Sequence, residues 1–192
     1  MVPDLTEARL TVPEAAFVVG VKPQTINREI DARIITASGA ERRLRGTDLF
    51  YLAAIKDVRT LVARSLRKSL RKAISTAAAA RQSEAKCYHF VFSIEALRAD
   101  LLQGFEQLER AREQHVEQRG NILNGEPVLK GTRIAVRHIA DLVKQGATSR
   151  EIQEDYDISA EQVEAALTYD RVHPKRGRPP ARRSRTVHVS AP

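Results

Sequence analysis

The chain has 192 residues, a formal net charge of +8 and 42% apolar residues, enough for one ordinary domain or two small ones with a packed core. Aromatics make up 5%, tryptophan is absent, and alanine (26) and arginine (24) are abundant, which disfavours a β-sandwich or barrel. No stretch free of Asp, Glu, Lys and Arg exceeds eight residues, which excludes a membrane-spanning helix. The single Cys87 excludes an internal disulfide framework and a Cys-rich zinc site. The opening Met1-Val2-Pro3-Asp4 has no secretory character, so a cytoplasmic protein is expected, associated with the nucleoid when bound to DNA.

Charge divides the chain into blocks. Residues 1–81 hold 15 Lys/Arg against 8 Asp/Glu, residues 82–170 hold 10 against 16, and residues 171–192 hold 7 bases and no acid. The ends suit a polyanion and the middle does not.

In chain order, Thr11-Val12-Pro13-Glu14 reads as a capped helix start, and the apolar helix ends at Gly20. A second short helix begins at Pro23, so the pair forms a helix-turn-helix. Ile34-Ile35-Thr36 and Glu41-Arg42-Arg43-Leu44-Arg45, separated by Ser38-Gly39, predict a β-hairpin or wing. Thr47-Asp48 opens a helix carrying Leu49, Leu52, Ile55 and Val58. A basic helix over 59–81 buries Val62, Leu66, Leu70, Ile74 and Ala77, with Arg64, Arg67, Lys68, Arg71 and Lys72 on the rest of its surface. Residues 86–92 read as one strand, and Ser93 caps a long connector helix ending by Gly120. Strand-like pieces follow at 122–123, 128–129 and 133–136, then helices over 137–145, 149–156 and 160–170. From residue 173 onward no hydrophobic period exists, which predicts a disordered tail.

The fold class is therefore mainly α with small β elements. The expected organisation is a winged helix-turn-helix with its basic helix over 1–81, a strand and helix connector over 82–120, an acidic dimerisation or partner-binding unit over 121–170, and a disordered basic tail over 171–192.

Two segments carry family resemblances. Val12-Pro13-Glu14-Ala15-Ala16, Gly20-Val21-Lys22-Pro23-Gln24-Thr25-Ile26 and Arg42-Arg43-Leu44 resemble the winged helix-turn-helix of the MerR-like superfamily, with Lys22 where such proteins often carry a serine N-cap. The string Pro127-Val128-Leu129-Lys130-Gly131-Thr132-Arg133-Ile134-Ala135-Val136, followed by Ile139, Gly146, Ser149, Glu151-Ile152, Tyr156, Val163, Ala165-Ala166-Leu167 and Tyr169, resembles the small domain of unknown function 433. The two modules in one chain look like VapB-type antitoxins of bacterial type II toxin–antitoxin operons. That resemblance implies binding of double-stranded operator DNA, neutralisation of a PIN-type ribonuclease toxin, and a homodimer or higher oligomer.

The residues themselves support the DNA half. Gln24, Thr25, Asn27 and Arg28 are types that reach base edges, and Lys22 opens the same helix. Arg42, Arg43 and Arg45 on the wing are placed to grip phosphates. Residues 148–170 carry one base, Arg150, against seven acids, which would repel a phosphate backbone, so that unit is expected to dimerise the chain or hold a partner. The basic helix fits a solvated face or a DNA backbone better than a membrane surface. In the tail, Arg176-Gly177-Arg178-Pro179 resembles an AT-hook; an unspecific electrostatic arm, or arginines filling an acidic toxin active site, are the other readings.

For catalysis the chain offers little. His89, His115, His138, His173 and His188 are scattered, Cys87 sits in an apolar stretch, and no nucleotide or nucleophile-elbow motif occurs. The expectation is a non-enzyme with no cofactor and no metal. A stand-alone transcription regulator is the alternative to an antitoxin.

Overall fold

The computed structural model describes residues 4–118, 120 and 125–173. Among these residues the chain is mainly helical, with three short antiparallel strand pairs. Helix α1 (Val12–Val19) starts where its sequence predicts: Glu14 accepts from the Thr11 backbone N–H at 2.8 Å and from its hydroxyl at 2.9 Å. It ends on Gly20 at φ 77°, a left-handed turn that favours glycine, and α2 (Pro23–Asp31) follows.

The wing differs from its expected pairing. Ile34 and Ile35 are both buried, and neighbouring side chains cannot both face a core from one strand, where they alternate. The loop is closed only by a bridge between Ser38 and Arg43. The return arm β2 (Leu44–Arg45) pairs instead with β1 (Arg9–Leu10), Arg9 opposite Arg45.

Helix α3 (Gly46–Ile55) is buried on nearly every side and occupies the centre, with Leu49, Phe50 and Tyr51 fully buried. Full burial of a Leu or Phe side chain contributes roughly 1.5–3 kcal/mol. Val58 is exposed and lies outside the core. The basic helix begins later than expected, because a 3-10 turn (Arg59–Leu61) and an extended Val62 precede α4 (Arg64–Ala79). Its Leu70, Ile74 and Ala77 face inward as the periodicity requires.

Residues 84–93 are a hairpin, not one strand: β3 (Glu84–Cys87) and β4 (Phe90–Ser93) turn back at Tyr88-His89, with Tyr88 at φ 52°. The apolar run hides this turn because it lacks the usual Gly or Asn. Ser93 Oγ accepts from the Ala96 N–H at 3.2 Å and opens α5 (Ile94–Glu109). A π-helical segment (Arg110–His115) leads into β5 (Val116–Glu117), which pairs with β6 (Val128–Leu129). Of the other strand-like pieces, 122–123 lies outside the described residues. In 133–136 only Ala135 bridges to Val128, and Val136 already begins α6 (Val136–Lys144).

Helices α7 (Ser149–Tyr156) and α8 (Ala160–Val172) follow, each with a capping box, on Thr148–Glu151 and Ser159–Gln162. Two apolar clusters result. The first spans Leu5 to Leu108; the second joins Val116, Leu129, Val136, Ile139, Ile152 and Val163. Helix α8 belongs to both, since Val163 and Ala166 pack in the second and Val172 in the first. The expected tail, with Arg176 and Arg178, lies outside the described residues from 174 onward. No helix among the described residues is long and apolar enough to cross a membrane.

Candidate nucleic-acid interface

Helix α2 is amphipathic with its charge reversed from habit. Ile26 and Glu29, three residues apart, point inward, and both are fully buried. Gln24 and Arg28, four apart, therefore share the outward face and are exposed, as is Lys22 at the helix start; Thr25 and Asn27 flank them half-buried. Lys22 makes no side-chain cap. It is left to project beside the helix N-terminus.

What seats this helix is the carboxylate on its inner face. The Tyr51 hydroxyl donates to Glu29 Oε2 at 2.8 Å, Arg59 Nε donates to Oε1 at 2.5 Å, and Arg67 donates to the same oxygen. Both arginines are mostly covered. One clamp thus ties α2 to α3, the 3-10 turn and α4. Burial, then the neighbouring carboxylate, pushes the Tyr51 phenol well above its usual range. Arg64 donates to the Ala32 carbonyl at 2.6 Å and 3.0 Å, adding a strut at the helix end.

These partners change the reading of the basic helix. Arg67 is consumed by Glu29, and Arg71 Nε donates to the buried Asp48 at 2.8 Å. Neither is a free surface charge, because a buried carboxylate requires a cation close by. Lys68 and Lys72 are exposed.

On the wing the three predicted arginines part company. Arg42 sits at φ 53° and approaches Asp31 of α2 at 3.9 Å. Arg43 donates twice to Glu41, at 2.6 and 3.0 Å, and to the Arg9 carbonyl at 3.1 Å. Arg45 is exposed and faces Arg9 across the strand pair. Like charges directly opposite are unfavourable, and these two line an open groove of about 700 Å³ with Lys72 and Arg71. Arg9 was not among the sequence candidates, because nothing local announces that residues 9–10 complete the wing.

Ahead of Arg9, Asp4 closes a turn on Thr6 and reaches Arg81. Asp4 accepts from the Thr6 hydroxyl at 2.6 Å, the Thr6 N–H at 3.0 Å and Arg81 at 2.7 Å, and these bonds, led by Thr6, hold its carboxyl low, at about 2. A second open groove, about 930 Å³, lies between the wing and the C-terminal unit. Its walls carry Glu14, Glu41, Arg43, Arg112, Arg137 and His173, and Arg112 approaches Glu14 at 3.6 Å.

The C-terminal helices present a different surface. Glu154, Asp155, Asp157, Glu161 and Glu164 are exposed, while Lys144 is drawn to Asp170 at 2.7 Å, which raises its pKa. His138 and Tyr156 meet at 2.7 Å between α6 and α7. Among the described residues, no group of three or more His, Cys, Asp or Glu is placed to hold a metal ion.

No curated protein matches the chain. Among solved structures it is similar to one described as the X-ray crystal structure of Rv2018 from Mycobacterium tuberculosis, at 16% identity, covering 83% of this chain and 96% of that one with a TM-score of 0.34. The family described as "Protein of unknown function (DUF433)" matches residues 116–169, from β5 through α8, which supports the resemblance carried by the Pro127–Val136 string.

Proposed function

We propose that the chain is a DNA-binding antitoxin that binds operator DNA through its N-terminal unit and holds a PIN-type ribonuclease toxin through its acidic unit. The observation that carries the DNA half is the outward Gln24–Arg28 face of α2, clamped from within by Glu29 and accompanied by the like-charged Arg9 and Arg45 pair. Base edges would be read by Lys22, Gln24, Thr25, Asn27 and Arg28, and phosphates held by Arg9, Arg42 and Arg45. The toxin half rests on the resemblance of the paired modules to VapB-type antitoxins. The reading gives the chain no catalytic step and no cofactor.

Titration of operator DNA at several salt concentrations tests it. Replacing Arg9 and Arg45 together by Ala is expected to flatten the salt dependence by roughly two contacts, at about −0.9 per phosphate, whatever the sequence. Replacing Gln24 by Ala should instead cost about 1–3 kcal/mol on the operator and little on unrelated DNA. If all three side chains are dispensable, the interface is wrong. DNA binding without any toxin co-purifying from the native operon would favour the stand-alone regulator.

The tail is separable only beyond His173, since Val172 is part of the first core. Deleting 174–192 removes six Lys/Arg. If the tail lies on DNA, the salt slope should fall by up to about 5. If it occupies the toxin's active site, DNA affinity should hold while ribonuclease activity escapes inhibition. Survival of both activities would dismiss a specific role for Arg176 and Arg178.

A further inference from the structure

We infer that the outer edge of β3 is the self-association surface of this protein, pairing antiparallel with β3 of a second copy across a two-fold axis at Ala85. This inference does not rest on the DNA-binding reading.

Exposed apolar surface first singles out the hairpin that carries this edge. The large apolar side chains most exposed are Val58, Leu61, Tyr88, Phe90 and Val91, and three of these lie on one ten-residue hairpin. Tyr88 is 78% exposed and Val91 58%. None lies in residues 116–173, so the acidic unit has no comparable patch among the described residues.

The hydrogen-bond phase of the hairpin then selects the edge. Ile94 N–H donates to the Ser83 carbonyl at 2.8 Å, and the register pairs Ala85 with Phe92 and Cys87 with Phe90. Antiparallel bonding alternates, so residues 85 and 87 bond inward to β4, while the N–H and C=O of Glu84 and Lys86 face away from it. A second β3 centred on Ala85 puts Glu84 opposite Lys86 of its mate, twice. Each pair exchanges two backbone bonds, so the edge of one copy satisfies the other.

Charge and shape agree with that register. Glu84 and Lys86 share the outer face and already approach at 3.4 Å within one chain. Paired across the axis, they alternate in sign, with no like charges opposed. At the axis the two Ala85 side chains meet at the close, non-bonded position, which a small residue suits. Beside the edge runs an open groove of about 550 Å³ between β3 and α4, its floor formed largely by Ser69, Ala73, Thr76 and Ala77, with the longer Lys72 and Gln82 also on its walls. These small residues leave room for the incoming strand. A second copy is favoured over an unrelated strand because the charge pattern is its own complement.

Sedimentation of the full chain tests the pairing. The parent is expected to be a dimer. K86E or E84K alone should weaken it roughly tenfold by opposing like charges twice, while an equimolar mixture of the two variants, or the double E84K/K86E chain, should restore it. Both sites are exposed, and circular dichroism checks that helix content is kept. A second measurement does not depend on charge. In this register Ser83 lies opposite Cys87 of the mate, at the non-bonded spacing a disulfide accepts. Within one strand the same positions are roughly 13 Å apart. S83C should therefore form an intermolecular disulfide with the native Cys87. A monomeric parent, a dimer indifferent to the reversals, or the absence of that cross-link would overturn the inference.

Discussion

Replacing Glu29 with Gln is expected to lower the stability of the N-terminal unit by about 3–5 kcal/mol, the range seen when one member of a buried charge pair is removed. The carboxylate is fully buried between Arg59 and Arg67, whose side chains are themselves only 15% and 14% exposed. A neutral amide leaves two guanidinium groups facing each other with no anion. It also offers the Tyr51 hydroxyl either an amide donor or a weaker acceptor. Urea unfolding checks this through the midpoint at constant slope. The companion Tyr51→Phe removes one bond and leaves the ion pairs, so it should cost about 1 kcal/mol. A loss below about 1 kcal/mol for Glu29→Gln would mean the clamp is energetically idle, as an exposed pair would be.

Gly46→Ala should also be strongly destabilising, for a steric reason. A Cβ at this position would lie 1.7 Å from the Leu5 carbonyl oxygen and 2.8 Å from its carbon. These are backbone atoms, so no side-chain rotation relieves the overlap. Gly46 also donates its N–H to the Ala8 carbonyl at 2.8 Å, which holds residues 5–10 against the start of α3. Overpacking a tight contact costs about 1–3 kcal/mol and occasionally more; an overlap this deep places the substitution at the upper end. The expected result is detachment of β1 from β2, read as fast amide exchange over residues 5–10 and a lowered melting temperature. Retained protection there would show that the segment shifts freely.

Much of the fold is written in caps and periodicities. Thr11, Ser93 and Ser159 each start a helix where their spacing predicts, and the apolar stripe of α4 points inward as read. The three C-terminal helices differ from their expected limits by no more than two residues. What was not legible depends on partners distant in sequence. Arg45 finds Arg9, Arg67 finds Glu29, and Arg71 finds Asp48, separations over which local pattern carries no signal. Glu29 did leave a trace, since it shares the inner face of α2 with Ile26. A charged residue on an apolar face calls for a buried counter-ion. The hairpin at 88–89 left none, because Tyr88 takes a conformation usually reserved for Gly or Asn.

The anchoring of Val172 in the N-terminal core sets where the last nineteen residues are tethered. Their root, His173, lies on the groove shared by the wing and Arg137. From that point nineteen residues reach at most about 65 Å. An anionic surface docked at the wing would lie within that reach, so covalent attachment would present these residues to it at an effective concentration on the order of millimolar. Six further bases confined to that volume gain their advantage from proximity, so a free peptide of the same sequence would need to be supplied at comparable concentration to match them.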